Sequence, residues 1–444
     1  MTNTIHHGHV ELNGVSQGAT LTLKPGAIQL DIAGSGDGTG LPQHLPLLCF
    51  TSNTGYFTLL NAYRQTMNTR FGVGSLARYK PRLAFESGVF ENAAEISSRS
   101  WTMYIGDIAK ILHVNGVVQQ IMFSQGSDVS TQWTIMVPST VDLSCPASAL
   151  TLRLGQNIAM SGNPIDGPRL KLTYPVEILF DEAVDYVAAL RMMHRVRQFF
   201  SMAMGRVLPI TEASVRFDVN ERPHDMPIYG ILPTEACEKP KDRLLQTLSP
   251  ELLATLLDRW LARYDELADA IRLHLNGLEQ RTLPLELRFQ TFVQALEALH
   301  RRTAPVAAAP IDKAPIVAAL RERDVPKDVI DRVAGVLEHA HEPGLRQRLK
   351  HYWDLMAGEL ATLRPAETRK TFVGKVVATR NHYAHRTDAI DQVLAGAELW
   401  DATEMVKAMS HIALLLELNA DVTGIGQTML LRGFAEFTVA DFPA

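Results

Sequence analysis

The residues best placed to do chemistry form the run Arg-Asn-His-Tyr-Ala-His at 380–385. An arginine stays charged at physiological pH and offers a planar fork of donors that suits phosphate oxygens. A histidine, with an ordinary pKa of about 6.5, takes up and releases protons near neutrality. Spacing alone does not single these two out, because Arg346 and His351 have the same separation and Arg332 and His339 a similar one. Placement separates them. At about 100° per residue, Phe372, Val373, Val376 and Val377 make an apolar helical stripe, and Arg380 falls near its centre. A guanidinium facing a core is costly without a partner, which points to a functional site or a subunit seam. The alternative is that Arg380 lays its stem over the core and pairs with an acidic residue of a neighbouring helix.

Local charge adds to this. Arg364, Arg369, Lys370, Lys375, Arg380 and Arg386 face the single acid Glu367, in a chain whose formal net charge is −5. That segment reads either as a phosphate-binding surface or as a solvated helix face.

Other motifs fail on context. Gly14–Gly18 fits Gly-x-Ser-x-Gly, but strand alternation follows it where a nucleophile elbow needs a helix. The glycine-rich run 34–40 lacks the Gly-Lys-Ser/Thr ending of a phosphate loop and reads as a mobile loop. His339 and His341, two apart, point to different faces of a helix and do not make a zinc pair. His6, His7 and His9 read as a frayed terminus able to bind metal adventitiously. No metal or cofactor site is expected.

The elements that must position the Arg-His run divide the chain. From His9 to about Asn220, short alternating stretches such as Val10–Val15, Ala27–Ala33, Gly116–Phe123, Gln132–Val137 and Leu170–Phe180 alternate with Gly, Pro, Ser and Asn. They predict a β-rich domain, a sandwich or open barrel, with one packed helix over about Asp181–Met204. Glu221–Asp242, bearing Pro223, Pro227, Pro233 and Pro240, reads as a linker. Beyond it the hydrophobic period becomes helical, with stripes through Leu253–Leu275, Leu285–Leu299, Val329–Leu337, Leu345–Leu363, Phe372–Val377 and Met405–Leu418. The fold class is therefore α+β multidomain, with a β-rich domain over 1–235 and an all-α bundle over 244–444.

Composition bounds the class. Hydrophobic residues at 46% and charged residues at 20% exclude extended disorder. Cys49, Cys145 and Cys237 form no Cys-x-x-Cys pair, so neither a disulfide framework nor a zinc ribbon is signalled. The amino terminus lacks a secretory pattern and no apolar run spans a bilayer, so no membrane association and a cytoplasmic location are expected. The net charge argues against a broad, non-specific nucleic-acid binder.

Two segments carry a resemblance. Gly374–Arg386 and Arg288–Arg302 resemble the HEPN domains, and within them the carboxy-terminal domain of ApeA-like anti-phage proteins; the resemblance covers roughly Leu244–Leu431. The first 220 or so residues resemble more loosely the β-rich domain that accompanies it. The family pattern of an arginine, a polar residue, variable positions and a histidine matches Arg380, Asn381 and His385, with His382 as an extra histidine inside it. The resemblance implies a metal-independent endoribonuclease that aborts phage infection, with tRNA a known kind of target. It further implies a homodimer, or a higher oligomer through the helical domain, with a composite site. Lys370, Lys375 and Arg386 would then hold RNA.

A continuous helix turns the side chain five positions on by about 140°, so Arg380 and His385 do not meet within one. Either the helix ends near Asn381 or two subunits bring the groups together. Three readings compete: a ribonuclease whose β domain senses a phage-derived trigger or restrains the toxin; a non-catalytic HEPN module binding RNA or a partner; and a β-rich ligand-binding protein that its helices dimerise.

Overall fold

The computed structural model describes residues 3–438 apart from 25, 35–40, 71–73, 109–110, 112–116, 124–128, 136–139, 162–168, 220–221, 231–248, 281, 305–311, 340–341 and 386–391. The chain divides into two compact units, the first holding Met1–Ala203, Leu208–Pro240 and Thr247–Ala262, the second chiefly Arg263–Ala444.

The first unit begins with an Asn-Gly turn. Asn13 and Gly14 both have positive φ, 52° and 74°, the geometry that matches the twist of a tight hairpin. They join β1 (Thr4–Leu12) to β2 (Val15–Lys24). The stretch Val10–Val15 is therefore two strand ends and a turn, and Ser16 lies on a strand, as its rejection as an elbow requires. The strands β3 (Ala27–Gly34), β4 (His44–Ser52), β5 (Gly55–Arg70) and β6 (Gly74–Lys80) follow. Pairing in the order β5-β4-β1-β2-β3-β6, with β6 returning to β5, closes a six-stranded barrel. Alternate residues of each strand fill it, among them Leu21, Leu30, Phe50, Phe57, Leu59 and Tyr79. The segment holding His6, His7 and His9 is not frayed: β1 pairs over its whole length with β2, and His6 is buried with Nδ1 2.8 Å from Thr54 Oγ1.

An extended sheet continues from the barrel. On one edge β5 pairs first with β7 (Leu83–Glu86) and then, from Tyr63, with β6. Asn61, with φ of 53°, sits where the partner changes. Beyond β7 the sheet runs through β17 (Arg222–Tyr229), β16 (Ile210–Val219), β8 (Ser97–Ile105), β15 (Pro175–Asp185), β12 (Leu150–Leu154) and β11 (Val141–Cys145). Two separate hairpins are β9 (Val117–Phe123) with β10 (Val129–Ile135), and β13 (Asn157–Ser161) with β14 (Arg169–Thr173). Residues 222–229 are thus strand and not linker. Pro223 and Pro227 are tolerated because β7 takes only Ile228 and Tyr229, leaving the prolines without a second neighbour to serve. The helix α1 (Tyr186–Met204) starts later than its hydrophobic pattern implied, since residues 181–185 complete β15. Trp260 packs against Phe199 and donates its indole N–H to Arg195 O at 3.0 Å.

The helices that follow are α2 (Pro250–Glu279), α3 (Leu285–Thr303), α4 (Ala314–Glu322), α5 (Lys327–His339), α6 (Leu345–Leu355), α7 (Ala357–Leu363), α8 (Arg369–His385), α9 (Gly396–Glu417) and α10 (Ile425–Leu431). The stripe Leu345–Leu363 is two helices, broken at Met356, while α4 and α10 had no clear stripe to announce them. In the second unit α9 is buried almost all round, and α3 packs along it. The helices α6 and α8 lie against each other and against α3. The glycine-rich run from 35, Cys237 and His341 lie outside the described residues, as do the surroundings of His339.

Candidate active site

The helix α8 is built on Phe372, Val373, Val376 and Thr379, all buried. Its inward line therefore ends on Thr379, whose hydroxyl accepts a hydrogen bond from Leu394 N at 2.9 Å. Arg380 is not at the centre of the stripe. One residue on and about 100° round from Thr379, between the directions of Val376 and Val373, it is half-buried, and its charged head can reach a partner while its stem stays covered.

That partner is Glu297 of α3. Arg380 Nη2 donates to Glu297 Oε2 at 3.3 Å and Nη1 to Asn381 Oδ1 at 3.4 Å. Arginine paired with an acid of a neighbouring helix is the alternative the sequence left open. Glu297 also receives a second arginine: Arg348 of α6, itself buried, donates to Glu297 O at 3.2 Å, to Pro343 O at 2.6 Å and to the Glu342 carboxylate at 3.4 Å. Burial pushes the Arg348 guanidinium below its ordinary pKa, and Arg301 adds to the effect. Near Glu297 on α3, His300 meets His351 and Tyr352 edge-on, with ring centroids 5.1 and 5.7 Å away. Burial, with help from His351 and Arg348, pushes His300 down to about 4. Sequence reasoning missed Glu297, His300 and Arg348. A usable signal existed for His300, which continues the apolar stripe of Val293 and Leu296.

The helix runs unbroken to His385. A chain break at Asn381 that would fold His385 back onto Arg380 is therefore excluded. The two side chains lie about 140° apart around the axis and roughly 7.5 Å apart along it. His385 is exposed, without a hydrogen bond to any described residue. His382 stands edge-on to Tyr383, whose hydroxyl donates to Leu394 O at 3.5 Å.

The basic segment is less basic than it reads. Arg364 pairs with Asp401 at 2.5 Å, Arg369 with Asp354 at 2.6 Å, Lys375 with Glu398 at 3.4 Å, and Arg380 with Glu297. Lys370 is exposed with no partner among the described residues, and Arg386 lies outside them. Among the described residues no group of three His, Cys, Asp or Glu side chains is arranged to hold a metal ion. No described helix is long and apolar enough to cross a membrane.

Comparison with known families adds two matches. Residues 7–248, more than half the chain, match ApeA N-terminal domain 1, and residues 291–423 match the Apea-like HEPN domain. The chain belongs to the ApeA-like HEPN family. No curated protein and no solved structure matches it. The first match takes in the barrel and its extended sheet; the HEPN match begins within α3 and runs past α9, so it contains Glu297, α6 and α8. Membership in this family links the chain to the HEPN nucleases of anti-phage defence.

Proposed function

We propose that this ApeA-like HEPN protein is a metal-independent endoribonuclease acting at Arg380, Asn381 and His385, with tRNA among its targets. The observation that carries the reading is the contrast along one helix end: Arg380 is oriented by Glu297 and Asn381, while His385 is left exposed and open. In this mechanism the ribose 2′-OH loses its proton and attacks phosphorus. The P–O5′ bond breaks, and the 5′-oxygen takes a proton, leaving a 2′,3′-cyclic phosphate and a 5′-hydroxyl. His385 takes the proton from the 2′-hydroxyl and returns one to the 5′-oxygen, Arg380 holds the charge that grows on the phosphate oxygens, and Asn381 orients Arg380. Lys370, Lys375 and Arg386 hold the strand.

Because one unbroken helix keeps Arg380 and His385 apart, the active species is a two-fold dimer through the helical region, with the site shared between copies. Incubation with total tRNA in EDTA, followed by end-group analysis, tests the chemistry. Fragments ending in 2′,3′-cyclic phosphate are expected; intact RNA at all concentrations removes the reading. Sedimentation and activity over a dilution series test the dimer, and a monomer of constant specific activity refutes a shared site.

The amino-terminal region, to about residue 235, is proposed to sense a phage-derived trigger or restrain the nuclease of 244–444. Expression of Lys241–Ala444 then gives a helical protein more toxic than the full chain. Equal toxicity removes the restraining role.

One observation favours a second reading. The ion pair to Glu297 already gives Arg380 a partner, as a non-catalytic HEPN module that binds RNA or protein would need. Such a module binds RNA without cutting it.

A further inference from the structure

The helix beside α8 also carries unpartnered cations. Arg346 and Lys350, one turn apart on α6, are both exposed, and neither pairs with an acid among the described residues. Arg346 reaches across to α8 at Gly374, where an added Cβ would meet only its Nη1, at 3.9 Å. Gly374 precedes Asn381 by seven residues and His385 by eleven, so the three lie within about 20° of one line along the helix. Lys370, one turn earlier, is exposed beside the same line. Arg380 is about 120° away from it, toward α3.

Packing does not explain the glycine. At Gly277 a Cβ would strike the Phe292 ring at 2.6 Å, so close helix contact excludes a side chain there. At Gly374 a Cβ would sit at ordinary contact distance, yet a glycine inside a helix costs about 0.5–1 kcal/mol relative to alanine. What the glycine leaves is open backbone on the face shared by Arg346, Asn381 and His385. The neighbouring acids are already engaged: Asp354 with Arg369, Glu342 with Arg348, Glu297 with Arg380 and Glu398 with Lys375.

We propose that Arg346, with Lys350 and Lys370, forms a basic strip beside Gly374 that grips the sugar–phosphate backbone of RNA and leads it to Asn381 and His385. The proposal rests on the ribonuclease reading and names the substrate-holding surface of that site. From Gly374 to His385 the helix rises about 17 Å, room for several phosphates of a single strand. The arginine fork can take one phosphate by two bonds, and the bare helix lets the strand come close. These groups act on binding and not on bond cleavage, because Gly374, which Arg346 meets, stands about three turns from the histidine and Lys370 about four.

The test uses the full chain carrying His385→Ala, so that RNA stays intact, and a labelled 20-nucleotide single-stranded RNA titrated at several salt concentrations. Arg346→Ala with Lys350→Ala is expected to weaken binding roughly tenfold and to flatten the salt dependence by about 1.4 in log–log slope, about 0.7 for each lost contact. Gly374→Glu, a helix-favouring change that places a carboxylate beside Arg346, should weaken binding comparably while the protein stays folded. Arg272→Ala on α2 should change nothing. In the chain with His385 restored, the double variant raises KM and leaves kcat unchanged. Unaltered affinity and slope in the double variant overturn the strip even if RNA is cut. Wild-type protein that neither binds nor cuts RNA overturns the ribonuclease reading, and the strip with it. Preferential binding of phosphatidylserine vesicles through the same residues overturns RNA as the occupant.

Discussion

The helices α8 and α9 both carry a line of polar and charged groups through the second unit, and they use it in opposite ways. On α9 the groups close on one another. Lys407 reaches Glu404 at 2.5 Å and lies over the Phe434 ring, Glu404 accepts Glu436 N at 2.9 Å, and Asp401 holds Arg364 and Thr438. His274 of α2 joins Ser410 at 2.8 Å and His411 at 3.2 Å. On α8 the acid-bound cations Arg369, Lys375 and Arg380 share the helix with an open Lys370 and an open His385. The α9 network is buried and mostly satisfied from within, though His411 Nε2 finds no partner among the described residues, whereas Lys370 and His385 on α8 stand at the surface.

The largest expected effects fall on α8 and on rate. Arg380→Ala and His385→Ala should each lower cleavage by roughly 10²–10⁴-fold with the melting temperature unchanged. Full activity in His385→Ala together with loss in His382→Ala would transfer the proton-exchanging role to the neighbouring imidazole. Activity in both would end the proposed mechanism.

On α9 the effect should fall on stability. Lys407→Met leaves the buried Glu404 carboxylate short of its counter-charge, and a loss of roughly 3–5 kcal/mol is expected. A denaturant midpoint that does not move would show that Arg288, whose Nη2 lies 3.9 Å from Glu404, can take over.

The histidine pair gives a pH window. Burial, first, and Lys407 push His411 down to about 3; burial, His411 and Lys407 push His274 well below its ordinary value. Both are therefore neutral in the fold, while the unfolded chain protonates them below about pH 6.5. The stability they contribute is full above that pH and declines as pH falls through the window toward the folded values, by up to roughly 1.4 kcal/mol per pH unit for each. Urea midpoints at pH 7.5 and 5.5 compare the chain with His274→Gln; an identical pH dependence in the two would remove this assignment.

The smallest effect separates the two helices most finely. Glu297→Gln removes the charge of a half-buried pair but keeps a hydrogen-bond acceptor for Arg380, so stability should change by only about 1 kcal/mol, and cleavage should fall less than it does in Arg380→Ala. A loss as large as that of Lys407→Met would make the Glu297–Arg380 pair structural, of the α9 kind.

By itself the sequence determined what depends on near neighbours. The alternation along the barrel strands and the helical stripes of α2, α3, α6 and α8 follow from side-chain periods of two and 3.6 that any short window displays. The geometry that keeps Arg380 and His385 apart on one helix was legible for the same reason. Tertiary structure alone decided the rest. Barrel closure requires β5 to exchange β7 for β6 at Asn61, and residues 222–229 became a strand because β16 offered an edge to prolines. Arg380 met Glu297 across 83 residues, and Arg346, indistinguishable in spacing from any chance arginine, was carried to Gly374. Charge along a chain states how many cations a segment holds, but which of them keep their charge for a ligand depends on the acids that packing brings within about 4 Å.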